Sequence, residues 1–313
     1  MNKSNVPNSD HTEDVIDLKV LFGVLWNGKW LLLSSILIFS IIFIIYSLSL
    51  PNIYKSSALL SPVGDQSSSA RSYIDIANFA GLNLPQSSIS NSVKAKDKLN
   101  SLSFFKENIM PNIFLPDLMA VKSWDPKTNS ISYNEGKYNQ NTNTWVRDFE
   151  YPQTQIPSAQ ESFEVFKSFL EVSEDKKGFI TISFKHHSPF IAQEIIDLIV
   201  KELNYFFRVK DKAEALAAVD YLNLQMRETS VSEIKQVIAQ LLQQKTQQLA
   251  LLEVSEFYVF EYIDPPAVME NKYGPKRSII CILGAFLGGI FGVIIIAIRH
   301  FIRSSSTSLT PSN

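Results

Sequence analysis

Residues 279–298 read IICILGAFLGGIFGVIIIAI, twenty residues without a charge. At a helical rise of about 1.5 Å per residue they cover roughly 30 Å, the thickness of a bilayer core. The run also holds Gly284, Gly288, Gly289 and Gly292, four of the eleven glycines in the chain. Gly284, Gly288 and Gly292 fall at every fourth position, so they lie close to one line along a helix face. A line without side chains lets another helix backbone approach closely, and close approach is what associates helices in lipid. The competing explanation is compositional, because glycine is commoner in membrane helices than in soluble ones. Two small-residue spacings in register favour helix packing. The partner stays open between the chain's own first apolar segment and a neighbouring protomer.

A second uncharged run, LLLSSILIFSIIFIIYSLSL, occupies residues 31–50, and Pro51 marks its exit. Its apolar core is too long for a cleaved signal peptide, and no small-residue cleavage site follows. Ahead of it, residues 14–30 (DVIDLKVLFGVLWNGKW) place Val15, Leu18, Leu21, Phe22 and Leu25 at helical spacing. That segment is either an amphipathic helix at the membrane surface, with Trp26 and Trp30 at headgroup level, or an ordinary juxtamembrane stretch. Residues 1–12 are polar. The reading is an N-terminal segment 1–30, a span 31–50, a domain 51–278, a span 279–298 and a tail 299–313. Two spans put both termini on one side. Lys19, Lys29, Arg299 and Arg303 flank the terminal side, and Lys55, Lys272, Lys276 and Arg277 flank the other, so charge does not choose between them.

Within the domain, YKSSALLSP (54–62) reads as a strand and 64–69 as a serine-rich turn. Residues 92–108 read as a helix stopped before Pro111, and 157–172 as another helix. The polar, asparagine-rich stretch 124–148 is a hairpin or a loop. FITISFK (179–185) alternates like a half-buried strand. No proline occurs between Pro189 and Pro265, and no glycine between Gly178 and Gly274. Ser188-Pro189 provides a capping hydroxyl and a proline at the first helical position. Ile191, Ile195, Ile199 and Leu203 then recur every four residues, in a helix expected over 189–229 and roughly 60 Å long. Ser230-Val231-Ser232-Glu233 fits a capping box, so a second helix is expected over 231–252. Residues 257–264 read as a strand, ended by Pro265 and Pro266. The long helix either projects and meets a neighbouring subunit, with Ile191, Ile195, Ile199 and Leu203 as interface candidates, or folds back on its partner helix.

The chemistry expected of an enzyme is missing from the sequence. His186 and His187 are adjacent, and neighbours on a strand point to opposite faces, which suits no shared metal. The single cysteine, Cys281, lies in the glycine-rich run. There is no G-x-S-x-G, no H-E-x-x-H and no glycine-rich phosphate loop. Carboxylates along the long helix alternate with Lys and Arg, as on a solvated face. A net charge of −2 argues against nucleic acid. No cofactor, metal or catalytic residue is expected.

Taken in order, these segments resemble the Wzz-type chain-length determinants, polysaccharide co-polymerases of Gram-negative bacteria. The resemblance runs from about Asp14 to Ile302. It is carried by DVIDLKVLFGVLWNGKW, YKSSALLSP, WVRDFEYP, PSAQESFEVFKSFL and GFITISFKHHSPFIAQEIIDLIVKELNYFFR. It continues through the long helix and FYVFEYIDPPAV to Tyr273-Gly274-Pro275-Lys276-Arg277 and the glycine-rich run. One departure concerns the linker before the second span. The family usually carries several spaced prolines there, whereas here Pro265 and Pro266 are adjacent and only Pro275 follows.

The resemblance implies an α+β membrane protein with two transmembrane helices flanking a periplasmic α/β base domain that carries a long protruding helix. It implies a Gram-negative inner-membrane location with both termini cytoplasmic. It implies a ring-shaped homo-oligomer without enzymatic activity, which acts with the Wzy polymerase on undecaprenyl-linked O-antigen and sets the modal chain length of lipopolysaccharide. The polymerase joins the candidate partners of the glycine face. The kinase-bearing class is not expected, since the tail is short and lacks a phosphate loop. The alternatives are a two-span periplasmic sensor, or a regulator of another Wzy-dependent polysaccharide such as enterobacterial common antigen or capsule.

Overall fold

The computed structural model describes residues 26–63, 91–254 and 257–307. The expected polar stretch 1–12 and turn 64–69 lie outside the described residues, as does the expected amphipathic helix except for 26–30. In chain order the described elements begin with α1 (Lys29–Ser49), β1 (Tyr54–Pro62), α2 (Asn91–Leu99), short helical turns over 102–112 and α3 (Leu115–Met119). Then come β2 (Val121–Asp125), β3 (Ser130–Tyr133), β4 (Tyr138–Asn139), β5 (Thr144–Trp145), α4 (Ala159–Phe169), β6 (Leu170–Glu174) and β7 (Ile180–His186). The series closes with α5 (Pro189–Glu228), α6 (Ser232–Val254), β8 (Phe260–Asp264) and α7 (Arg277–Thr307). The chain divides into two units, Met1–Pro51 with Gly274–Asn313, and Asn52–Tyr273. The first joins the two ends of the chain, and α1 and α7 lie in it.

The Asn52–Tyr273 unit is built on an antiparallel sheet of order β6-β7-β1-β8. β1 and β7 run from Tyr54 opposite His186 to Leu60 opposite Ile180. Alternate side chains of β1 point inward, so Ala58 and Leu60 are wholly buried. Ile182 and Phe184 do the same from β7. The first half of α5 lies in the same core, with Ile196, Ile199 and Leu203 wholly buried. Burying each such side chain stabilises the fold by roughly 1.5–3 kcal/mol.

That core corrects one expectation. Ile191, Ile195, Ile199 and Leu203 are 8%, 4%, 0% and 0% exposed within a single chain, so they cannot meet a neighbouring subunit. They belong to the chain's own core, together with Phe104, Phe166 and Phe184. Beyond Phe207, α5 continues and α6 packs on it. Ala215 of α5 and Ile238 and Leu252 of α6 are buried, and Lys212 pairs with Glu253. The second helix therefore folds back along the first.

Local chemistry explains where the structure departs from the sequence pattern. The helix expected over 92–108 breaks after Leu99. Ser101 is extended and restarts a helical turn whose next segment, Phe105–Ile109, is π-helical. The wider turn accompanies burial of both adjacent rings, Phe104 and Phe105. The stretch 124–148 contributes to two small hairpins, β2–β3 and β4–β5. Asn129 and Asn143 turn them with φ of 49° and 53°, a conformation asparagine tolerates better than most residues. α4 opens on a capping box between Ser158 and Glu161. It stops at Phe169, so residues 170–172, expected as helix, are strand. The Ser188 hydroxyl does not cap α5.

Two polar features tie the sheet to its surroundings. Lys55 and Lys185 lie opposite each other on β1 and β7, an unfavourable like-charge pair by itself. Glu171 of β6 bonds both ammonium groups, and the Tyr273 ring lies 5.2 Å from each. The Lys185 and Lys55 hydrogen bonds hold the Glu171 carboxyl below its usual range. His186, 2% exposed, closes β7. Its Nδ1 accepts from the Ser188 N–H at 3.0 Å, and its Nε2 lies 2.7 Å from the Asp117 carbonyl oxygen. Carbonyls only accept, so Nε2 carries the proton and the ring is neutral.

Burial pushes the His186 pKa down to about 4 from 6.5. Between those values the unfolded chain takes up a proton that the folded chain refuses. The contribution is complete above pH 6.5 and is lost as the pH falls toward 4, up to about 3 kcal/mol. Chemical denaturation across this window should therefore show falling stability, and His186→Gln should flatten the fall. A variant with the wild-type pH dependence would contradict this assignment.

Candidate functional site

Helices Lys29–Ser49 and Arg277–His300 are each long and apolar enough to cross a membrane. Their outer faces carry large uncovered side chains, including Leu37 (63% exposed), Ile45 (64%), Ile282 (67%) and Phe286 (65%). Along one line of α7 that faces α1 there are no side chains, because Gly284, Gly288 and Gly292 lie there. A methyl group on Gly284 would stand 2.5 Å from Phe43 Cβ. On Gly288 it would stand 3.0 Å from Ile36 Cα and 3.1 Å from Ser35 O, which are backbone atoms. On Gly292 it would stand 3.3 Å from Leu32 Cα. These glycines thus meet the face of α1 formed by Leu32, Ser35, Ile36, Phe39 and Phe43. Gly289 faces elsewhere, and its nearest neighbour would be the end of the Ile36 side chain at 3.9 Å. The contact of the glycine line is with the chain's own first apolar helix.

Sequence reasoning did not single out the groups on the α1 side. The Ser35 hydroxyl donates to Gly288 O at 2.8 Å in a buried position. A methyl group on Gly288 would crowd the same stretch of α1 that supplies this hydroxyl. Phe39 packs on Phe291, ring centroids 5.4 Å apart. Gly28, just before α1, admits the Ile296 side chain, whose Cδ1 would stand 2.6 Å from an added methyl. A serine pair, Ser34-Ser35, within an apolar run was the available signal.

The linker prolines occupy distinct places. Pro265 and Pro266 follow the end of β8, the first exposed and the second buried. The Ser56 hydroxyl donates to Ala267 O at 2.8 Å, and the Tyr273 N–H donates to Ile53 O at 2.8 Å. The segment after the two prolines is thereby fastened to the start of β1. Pro275 stands two residues before α7. The two histidines form no shared site, since both ring nitrogens of His186 are engaged and His187 Nδ1 faces Asn52 O at 3.1 Å. Among the described residues, no group of three or more His, Cys, Asp or Glu could hold a metal ion.

Residues 14–110 match the chain length determinant family, Wzz. The matched residues include α1, β1 and α2, and they support the Wzz-type resemblance read from the sequence. No curated protein matches. Among solved structures, a full-length bacterial polysaccharide co-polymerase is similar at 14% identity, covering 93% of this chain and 99% of that one, with a TM-score of 0.38. A fragment of WzzB, a polysaccharide co-polymerase from Salmonella Typhimurium, is 15% identical, covering 71% and 100%, with a TM-score of 0.28.

The contact between α1 and α7 makes opposite demands on two neighbouring glycines. Alanine is a better helix former than glycine by about 1 kcal/mol, so substitution helps wherever there is room. Gly289→Ala should leave the thermal melting of the detergent-solubilised protein unchanged or raise it. Gly288→Ala should lower it, because backbone cannot swing aside. Circular dichroism at helical wavelengths reads both, and equal shifts would show that the line of glycines is not in tight contact.

Proposed function

We propose that this chain regulates the length of a surface polysaccharide, as a non-catalytic inner-membrane scaffold. The observation that carries this reading is the Wzz match over 14–110, on a chain whose two apolar helices flank a large domain. On this reading both termini are cytoplasmic and the Asn52–Tyr273 unit is periplasmic. The chain acts beside a Wzy polymerase and sets the modal length of O-antigen built on undecaprenyl carrier. Deleting the gene and separating lipopolysaccharide on a gel tests this directly. Loss of the modal band cluster, restored by a plasmid copy, is the expected result. An unchanged ladder removes O-antigen as the product. A shifted length distribution of enterobacterial common antigen or capsule in the same strain then identifies the polymer instead.

The scaffold is proposed to be a homo-oligomer. With the first half of α5 committed to the core, the support comes from α6. Val231, just ahead of α6, and Ile234, Val237 and Leu241 on it are 42–55% exposed and recur at three- and four-residue spacing, an apolar stripe along one side of the helix. Stripes of this kind are covered in functional assemblies more often than left in water. Joint Ile234→Lys and Val237→Lys substitution should lower the mass of the detergent-solubilised particle by light scattering, with circular dichroism unchanged. An unaltered mass would move the interface away from α6.

A further inference from the structure

A cleft of ≈ 300 Å³ opens between the segment around α3 and the first half of α5. This volume is at the small end of ligand sites, suited to a small molecule or to one residue of a longer polymer. Leu118 and Ile195 give it an apolar lining. Phe114 forms part of the wall. The residue is 54% exposed, and its ring makes an edge contact with Tyr138, centroids 6.1 Å apart. An exposed aromatic ring fixed in place offers a stacking surface.

The polar groups are also fixed. Asp117 accepts a hydrogen bond from the Tyr133 hydroxyl at 2.5 Å, and Asp197 accepts one from Tyr262 at 3.1 Å. Each tyrosine reaches in from a strand, Tyr133 from β3 and Tyr262 from β8. In both carboxylates Oδ1 is taken, and Oδ2 has no hydrogen-bond donor among the described residues. Glu194 and Lys201 line the same cleft. Lys201 stands one turn from Asp197, yet among the described residues it forms no ion pair. Burial raises the Asp117 pKa, the Tyr133 hydrogen bond opposes the rise and the charge of Glu194 adds to it.

We infer that this cleft binds one sugar residue, and that it takes a neutral or amino sugar in preference to an acidic one. A pyranose ring has an apolar C–H face for Phe114 and the aliphatic lining, and hydroxyls that donate to carboxylates held in position. Three acidic groups against one lysine attract an ammonium and repel a uronate. The choice of a sugar over other small polyols or amines rests on the proposed role in polysaccharide synthesis; the shape and charge preference rest on the cleft itself.

Saturation-transfer NMR on the full-length protein in a non-glycosidic detergent tests the assignment. The probes are the methyl glycosides of glucose, N-acetylglucosamine, glucosamine and galacturonic acid. The first three should receive saturation and the galacturonide should not. Phe114→Ala, at an exposed position, should weaken binding roughly 3–10-fold. Glu194→Gln should narrow the gap between glucosamine and galacturonide. Absence of binding by every probe, or binding unaffected by both substitutions, overturns the assignment. If the gene deletion abolishes the modal ladder while no glycoside binds, the cleft assignment fails and the chain-length role stands. If the ladder survives deletion while glycosides bind through Phe114, the role fails and the cleft stands.

Discussion

Asn204 lies inside α5, 6% exposed, and its amide serves five backbone groups. Its Oδ1 accepts from the N–H groups of Tyr258, Val259 and Phe260 at 3.0, 2.7 and 3.0 Å. Its Nδ2 donates to Val200 O and Phe260 O at 3.1 and 3.0 Å. An apolar residue there would bury those N–H groups without this partner, at about 1–3 kcal/mol for each left unsatisfied. The position of β8 follows from this bracket, since it fixes the chain just where the strand begins. β8 then pairs with β1, and the segment beyond it returns to Ile53 through Tyr273. One side chain on a helix thus determines where the domain's last strand joins the sheet.

In the helix pair a different balance applies. Apolar surface gains little from leaving lipid for another apolar surface, so contact depends on close fit and on polar bonds. The approach of Gly288 to Ile36 and Ser35 supplies the fit, and the Ser35–Gly288 hydrogen bond supplies a direction. That bond fixes the register of α7 along α1. The large side chains that would obstruct this approach, such as Phe286 and Leu37, are on the outer faces.

Much of this was legible in the sequence where period and polarity speak alone. The first apolar helix, the strand 54–62 and the helix beginning at Pro189 appear within a residue or two of where the pattern places them, whereas the second apolar helix starts two residues earlier than the expected 279–298 and runs nine residues further. Ile191, Ile195, Ile199 and Leu203 show the limit of that reasoning. A helix face buried on its own core and one buried on a second copy leave the same spacing, so periodicity identifies a covered face but not what covers it. Asn204 left no pattern, because four of its five partners are 54 to 56 residues away. The cleft was illegible for the same reason: Asp117, Tyr133, Asp197 and Tyr262 converge only after the sheet has formed. The turn from α4 into β6 was missed because Leu170 and Val172 fit a helix face as well as a strand.

α5 is one continuous helix with two environments. Its first part is fixed by the core, and its later part runs beside α6. The loop between them, residues 229–231, is short. Removing or adding matched turns on both helices near that loop would change the reach of the hairpin and leave every core residue in place. Length is therefore an independent variable in this architecture. Related chains can diverge in reach by paired insertions, much as a telescoping support is adjusted without altering its base.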